Sequence, residues 1–275
     1  MKRIFIMMLV AMGLGACVAQ KKEKVQMKKN VLVVYYSQTG TTDSVAKELQ
    51  RQLGADVEAV EVVKPYDGDF NATIARCQEE MKTGELPEVK PLKADVKKYD
   101  VIMIGYPVWF GTYARPIMSL LKNQQFEGKK VVTFCTFGSG GLQSSTADMK
   151  KALPKAEVTE GYGVRTARVG CIKEELNRFL IESGLKEGEI EALPAFMEHK
   201  PVTDEDKDVF DKACGDYQFP LGTPVDVAKR ETKTSVDYEF SVKSQGMDGK
   251  ESMATIYVTA PKADGAKPEF TQVIR

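Results

Sequence analysis

Three unbroken apolar runs, Val31 to Tyr36, Val101 to Gly105 and Val131 to Thr136, constrain this chain more than any other feature. None alternates with polar residues, and between them lie stretches with apolar residues at helical spacing, such as Val45, Leu49 and Leu53. A strand reads this way when both its faces are buried, which happens where helices cover both sides of a parallel sheet. The spacing predicts helices over 43–53, 72–81, 114–122, 145–153 and 172–183, with weaker strands over 57–63 and 157–161. Five β-α steps in succession predict an α/β fold, a doubly wound five-stranded parallel sheet spanning residues 30–184.

Past Gly184 the composition changes. Residues 185–223 read as a linker rich in Glu, Lys and Pro, followed by a helix that Thr203 is placed to cap ahead of Asp204, Glu205 and Asp206. The run Asp204 to Asp208 lacks the alternating ligands and central glycine of an EF-hand loop and reads as an acidic first turn. Residues 224–275 read as a small C-terminal β-rich appendage. There Val236, Tyr238, Phe240 and Val242 alternate with polar residues, Met247-Asp248-Gly249 signals a turn, 253–259 forms a second strand and 270–274 a third.

The first residues are a targeting segment, not a fold element. Lys2 and Arg3 precede an apolar run from Ile4 to Leu14, which is shorter than the roughly 20 residues a membrane-crossing helix needs. The segment Leu14-Gly15-Ala16-Cys17 resembles the lipobox of bacterial lipoproteins. That resemblance implies a signal peptide over 1–17, lipidation of Cys17 and a polar tether over 18–29; a plain cleavable signal with Cys17 incidental is the alternative. Either way an exported protein is expected, and under the first reading one anchored in a membrane through lipid.

Charge and cysteine usage exclude other classes. The 39 basic and 39 acidic residues balance, removing a leader with Lys2, Arg3 and no carboxylate tips the remainder slightly acidic, and no polybasic patch suits a nucleic acid. With one histidine and no C-x-x-C pair, no metal site is expected. Cys135, inside an apolar run, reads as a small buried residue. His199, in a polar linker with no nearby Cys or carboxylate arranged as a metal site, reads as solvent-exposed, and Arg165 and Arg168 as residues of a solvated loop.

In sheets of this kind chemistry gathers where strands end. After Tyr36 comes Ser37-Gln38-Thr39-Gly40-Thr41-Thr42, opening directly into a helix and offering hydroxyls, a permissive glycine and backbone amides to an anion. It carries no Lys or Arg, so it is not a Walker A loop, and a single phosphate monoester fits it better. After Gly105 comes Tyr106-Pro107-Val108-Trp109-Phe110-Gly111-Thr112-Tyr113, whose four aromatics include the only Trp of the chain and suit a flat ring system. The third loop, Thr136-Phe137-Gly138-Ser139-Gly140-Gly141, permits close backbone approach to a ring's polar edge.

These three loops together resemble the flavodoxin family, over roughly Lys28 to Gly184. Ser37 to Thr42 is similar to the family's phosphate loop, Thr/Ser-x-Thr-Gly-x-Thr, at every specified position. The resemblance implies strand order 2-1-3-4-5 and FMN at the switch point between the first and third strands, the arrangement for which flavodoxin is the standing example. It further implies Ser37, Thr39 and Thr42 as hydroxyl ligands of the phosphate, Gln38, Gly40 and Thr41 as amide donors, and Trp109 as the stacking residue. Pro107, Val108, Phe110, Gly111 and Thr136 belong to the loops that hold the ring. Gly138, Ser139, Gly140 and Gly141 meet its polar edge, and Phe137 adds apolar cover.

The expected function is that of an exported, lipid-anchored FMN protein passing electrons to a redox partner protein or small acceptor, with no side chain acting as acid or base. One alternative is an FMN-dependent reductase taking hydride from a reduced nicotinamide to a quinone or another small acceptor. The other is a scaffold lipoprotein that keeps the fold without redox chemistry. The slight charge imbalance departs from the strongly acidic soluble carriers of the family.

Overall fold

The computed structural model describes residues 30–66, 69–123, 126–215, 217–245 and 251–275. The leader, Cys17, the tether and the turn Met247-Asp248-Gly249 lie outside the described residues.

The first sheet contains β1 (Val31–Tyr35), β2 (Asp56–Ala59), β3 (Val101–Trp109), the short β4 (Thr112–Tyr113), β5 (Lys130–Phe137) and β6 (Glu157–Arg165). Its order is β2-β1-β3-β5-β6, all parallel, with β4 paired antiparallel to the end of β3. Setting β4 aside, this is the 2-1-3-4-5 order, and the winding direction reverses between β1 and β3.

Successive side chains of a strand point to opposite faces, so each apolar run feeds two cores. Leu32, Val34 and Tyr36 join Ile102, Ile104 and Tyr106 on one face; Val31, Val33 and Tyr35 join Met103, Val132 and Phe134 on the other. The first face is covered by α2 (Phe70–Thr83), α3 (Arg115–Asn123) and α4 (Leu142–Ala152), through Cys77, Ile117, Leu120 and Met149. The second is covered by α1 (Thr41–Leu53) and α5 (Ile172–Glu182), through Val45, Leu49, Leu176 and Leu180. Every residue of β1 is buried, as its lack of alternation implies.

Two strands run further than their composition suggests. β3 continues through Pro107 to Trp109 because β1 has ended opposite Gly105, leaving β3 an edge on that side, where proline is tolerated. β6 extends past Gly161 to Arg165, across a register shift in its pairing with β5.

The second sheet is antiparallel, in the order β11-β10-β9-β8-β7. Its strands are β7 (Lys200–Pro201), β8 (Thr223–Glu231), β9 (Ser235–Gln245), β10 (Glu251–Pro261) and β11 (Glu269–Ile274). Helix α6 (Asp204–Cys214) packs one face, with Phe210 edge-on to Phe240 at 5.1 Å between ring centres. Thr203 and Asp206 form a reciprocal cap at its start. Part of the stretch read as linker thus belongs to this sheet. Strand β8 escapes a sequence reading because a bulge between Pro224 and Asp226 breaks its alternation.

One expectation about polar residues is overturned by how the sheets meet. Arg165 does not sit in solvent: its Nε donates to Gly138 O at 2.7 Å, its Nη1 to Phe270 O at 2.9 Å, and its guanidinium lies 4.1 Å above the Phe270 ring. Arg168 pairs with Glu175 at 2.7 Å and Glu269 at 3.0 Å. Both arginines therefore join the parallel sheet to β11. His199 is exposed, as expected, and lies between Asp226 at 2.5 Å and Glu239 at 3.0 Å, supplied by β8 and β9. These bonds, Glu239 foremost, hold its imidazole more basic than usual. Linear spacing gave no hint of them, because both carboxylates come from strands distant in sequence.

Candidate functional site

The ends of β1, β3 and β5 bring the three loops to one edge of the sheet. Helix α1 starts with Gly40 at φ +87°, a left-handed conformation that glycine adopts without cost, and no side chain caps it. By contrast α2 and α6 are capped by Asp69 and Thr203. An uncapped helix start presents its first backbone N–H groups, with the positive end of the helix dipole, to whatever lies in front of it. Thr39 and Gly40 are exposed there, Ser37, Gln38 and Thr41 half-buried, and Ser37 Oγ accepts from Gly40 N at 3.1 Å.

Thr42 stands apart from the other hydroxyls of this loop. It is fully buried, and its hydroxyl lies 2.8 Å from that of Thr136, which is 1% exposed. The pair ties the first loop to the third from beneath, so the hydroxyls facing outward at this end are those of Ser37, Thr39 and Thr41. Phe137 is 3% exposed, because β5 runs through it and packs its ring in the core, and it borders the cavity at the glycine loop.

The aromatic segment is a β-hairpin, not a loop of free rings. Trp109 pairs with Thr112 across Phe110 and Gly111, whose φ values of +50° and +80° make the two-residue turn of type I′. Tyr106 and Tyr113 are core residues, packed edge to face with ring centres 5.8 Å apart. Phe110 is left at the tip, 52% exposed. Pro107, Val108 and Trp109 are half-buried, and Gly111 is exposed.

Trp109 is held by two tyrosines: its ring centre lies 5.7 Å from that of Tyr36 and 5.2 Å from that of Tyr66, both edge to face. Gln38 of the first loop completes the group, accepting from the Tyr36 hydroxyl and donating to Tyr66 O at 2.6 Å. Behind Tyr66 lies Glu80, which accepts from the Tyr66 hydroxyl at 2.7 Å, Arg76 at 2.9 Å and Arg115 at 2.8 Å. Burial, and for Tyr66 the bond to Glu80, pushes both phenols well above the usual tyrosine range, so they stay protonated donors. Burial also raises the Cys77 thiol, to about 11.

Tyr66, Glu80 and Arg115 are absent from the residues picked out by sequence. The available signal was weak: an aromatic after Pro65 in a turn, and an arginine at the start of an otherwise apolar helix.

At the third loop, Gly138 is exposed and Ser139, Gly140 and Gly141 are half-buried. Gly141 opens α4, again with no side-chain cap. The loop's carbonyls are occupied from the far side: Gly138 O by Arg165, and Ser139 O by Val273 N at 2.7 Å. Among the described residues, no group of His, Cys, Asp and Glu is arranged to hold a metal ion, and no helix is long and apolar enough to cross a membrane.

A family profile described as flavodoxin matches residues 30–180, more than half of the chain and all three loops. This chain belongs to the flavodoxin family. Among curated relatives, flavodoxin 1 of Escherichia coli K12 is 26% identical over 106 residues, 37% of this chain and 46% of that protein. The chain thus spans about half the length of the curated relatives it matches. Among solved structures, a candidate flavoprotein from Bacteroides eggerthii is 30% identical, covering 55% of this chain and 98% of its own, with a TM-score of 0.47. A flavoprotein in complex with FMN from Lactobacillus acidophilus is 24% identical, with the same shares and TM-score. The stretch past residue 180 lies outside the flavodoxin match.

Proposed function

We propose that this flavodoxin-family chain is an FMN-binding electron-transfer protein, exported and held at a membrane by lipid on Cys17. The observation that carries the cofactor reading is the uncapped start of α1 beneath outward hydroxyls, set beside a Trp-bearing hairpin and a glycine loop at the switch point of the sheet. The donor set fits the group. Amides of the first turn of α1 with the hydroxyls of Ser37, Thr39 and Thr41 suit a phosphate dianion, and a helix start favours negative charge without a lysine.

When bound, FMN supplies one- and two-electron chemistry through its ring. This chain's residues hold and orient it. Gln38 couples the phosphate loop to Tyr36 and Tyr66, which fix Trp109 as a stacking face. The Thr42–Thr136 bond keeps the phosphate and ring loops at a set separation. The Leu14-Gly15-Ala16-Cys17 motif supports the anchor, and fatty-acid labelling that disappears in Cys17→Ser would test it.

The absorption spectrum of the mature protein titrated with FMN tests the cofactor reading. Stoichiometric binding that weakens in a Ser37→Ala, Thr39→Ala double variant supports it; a folded protein that takes no FMN sinks it. A second reading, a reductase of a quinone or other small acceptor using a reduced nicotinamide, is favoured by one observation: the ring loop borders a cavity of about 420 Å³ walled on one side by β11. Turnover of reduced nicotinamide with such an acceptor separates it from a carrier.

A further inference from the structure

The loop after β5 is held from behind by donors and leaves its own donors unused. Arg165 Nε donates to Gly138 O at 2.7 Å, Val273 N to Ser139 O at 2.7 Å and Ser145 N to Gly141 O at 3.0 Å. The N–H groups of Ser139, Gly140 and Gly141 meet no protein acceptor among the described residues. A carbonyl that accepts from a cation polarises its own peptide, and the N–H of that peptide, here Ser139 N–H, becomes the stronger donor. Behind the loop the cation has no counter-ion. The Arg165 guanidinium is half-buried, 4.1 Å above the Phe270 ring and 5.3 Å from the ring centre of Tyr217, and it bonds to the backbone carbonyls of Gly138 and Phe270. Among the described residues no carboxylate pairs with it, because Glu175 and Glu269 pair with Arg168 instead. Tyr217, Phe270 and Val273 all lie past residue 180, outside the flavodoxin match, so the second part of the chain presses cation and loop together. Gly140 shows how close that contact is: a Cβ there would stand 2.1 Å from Val273 O.

We propose that the second sheet docks Arg165 behind the ring loop as a redox-tuning positioning residue, whose charge, acting through the Gly138–Ser139 peptide, makes the site favour reduced FMN over oxidised. The inference rests on the reading of these loops as a flavin site. On reduction the ring takes two electrons from its redox partner and, in its anionic form, one proton from water, so it gains one negative charge. A guanidinium stays charged when partly buried, and with free N–H groups fixed in front of it such a cation stabilises that added charge. A carboxylate in the same place would oppose it. The stretch past residue 180 then has a part in setting the flavin's redox balance without contributing a reacting group.

The test is titration of the protein with oxidised FMN, together with the midpoint potential of the FMN-loaded protein against a reference dye, which yields the affinity for each redox state. Arg165→Gln is expected to weaken reduced FMN about tenfold more than oxidised FMN, a fall of about 30 mV for a two-electron couple. Arg165→Lys, which keeps the charge, should recover most of that difference, to within about threefold of wild type. Equal weakening of both states in Arg165→Gln overturns the inference, since a purely structural brace acts that way. So does an equal fall in potential in both variants, because charge would then not be the cause. Should Arg165→Gln not fold, Glu269→Gln decides: it removes an exposed carboxylate that faces Arg165, and it should raise the preference for reduced FMN about threefold. No shift there, or a shift the other way, overturns the inference. Wild type that binds no FMN in either state overturns the flavin reading itself, and this inference falls with it.

Discussion

The two ends of the candidate site are built in opposite ways. The phosphate end is six consecutive residues, Ser37 to Thr42, on the start of one helix, and its groups are hydroxyls and amides with no charged side chain. The ring end is assembled from the β3–β4 hairpin, the loop after β5, Tyr66 after β2 and the end of β11. It is braced by buried charge at Glu80 and Arg115 and by the Arg165 bridge. A local site can be changed one hydroxyl at a time without disturbing the fold. An assembled one transmits a single change into several packed elements.

The largest expected effect breaks the brace. Glu80→Ala removes the carboxylate from Arg115, whose side chain is 9% exposed, and from the Tyr66 hydroxyl. Leaving a buried charge without its partner costs about 3–5 kcal/mol, so urea unfolding is expected to shift by that amount. Trp109 fluorescence should change as Tyr66 loosens. Thr39→Ala, at an exposed residue of the phosphate end, is expected to stay within about 0.5 kcal/mol of wild type. Equal losses in the two variants would erase the contrast.

Next comes the bridge to the second sheet. Arg165→Gln gives up two hydrogen bonds and the contact over Phe270. A loss of about 2–3 kcal/mol follows if both bonds are replaced poorly. Because this junction holds the ring loop, thermal unfolding should also lose its single transition, with the antiparallel sheet separating first. A single transition kept at the wild-type temperature would mean that the sheets dock without Arg165.

The same contrast decides what could be read from the sequence. The parallel sheet was legible because Val31 to Tyr36 cannot be an amphipathic helix or a half-exposed strand. The loop from Ser37 to Thr42, opening an uncapped helix, was legible because its residues are contiguous. The burial of Thr42 was not legible, because the side of the loop a hydroxyl takes depends on Thr136, 94 residues away. The aromatic segment was placed correctly beside the site, but Pro107 disguised it as a loop when it is a strand and a tight turn. The strand at 270–274 was legible, but its docking on the loop after β5 was not, and Tyr66 and Glu80 gave little signal, since each matters only through partners that the fold brings to it.

At the phosphate end the expected effect falls on binding. Thr39→Ala should weaken FMN about tenfold, the equivalent of about 1.4 kcal/mol, with little change in the stability of the flavin-free protein. Thr42→Ala is expected to act the other way round. Its hydroxyl is buried against Thr136, so its loss should lower the stability of the flavin-free protein by about 1 kcal/mol or more. If Thr42→Ala weakens FMN as strongly as Thr39→Ala while leaving the free protein as stable, the buried hydroxyl reorients toward the phosphate on binding.

The smallest effect is expected at Phe110, and its sign is what matters. The turn it shares with Gly111 demands a positive φ, at which a bulky side chain is strained and asparagine is not. Since the ring is 52% exposed, little burial is lost on replacing it, and Phe110→Asn should raise the unfolding free energy of the flavin-free chain by up to about 1 kcal/mol. A strained residue kept at a site's edge suggests that its side chain serves the site and not the turn. The variant should therefore gain stability and lose affinity for FMN or for what reduces or oxidises it. Gain without loss would return Phe110 to the fold and leave Trp109 as the one aromatic of the hairpin tip with a part in binding.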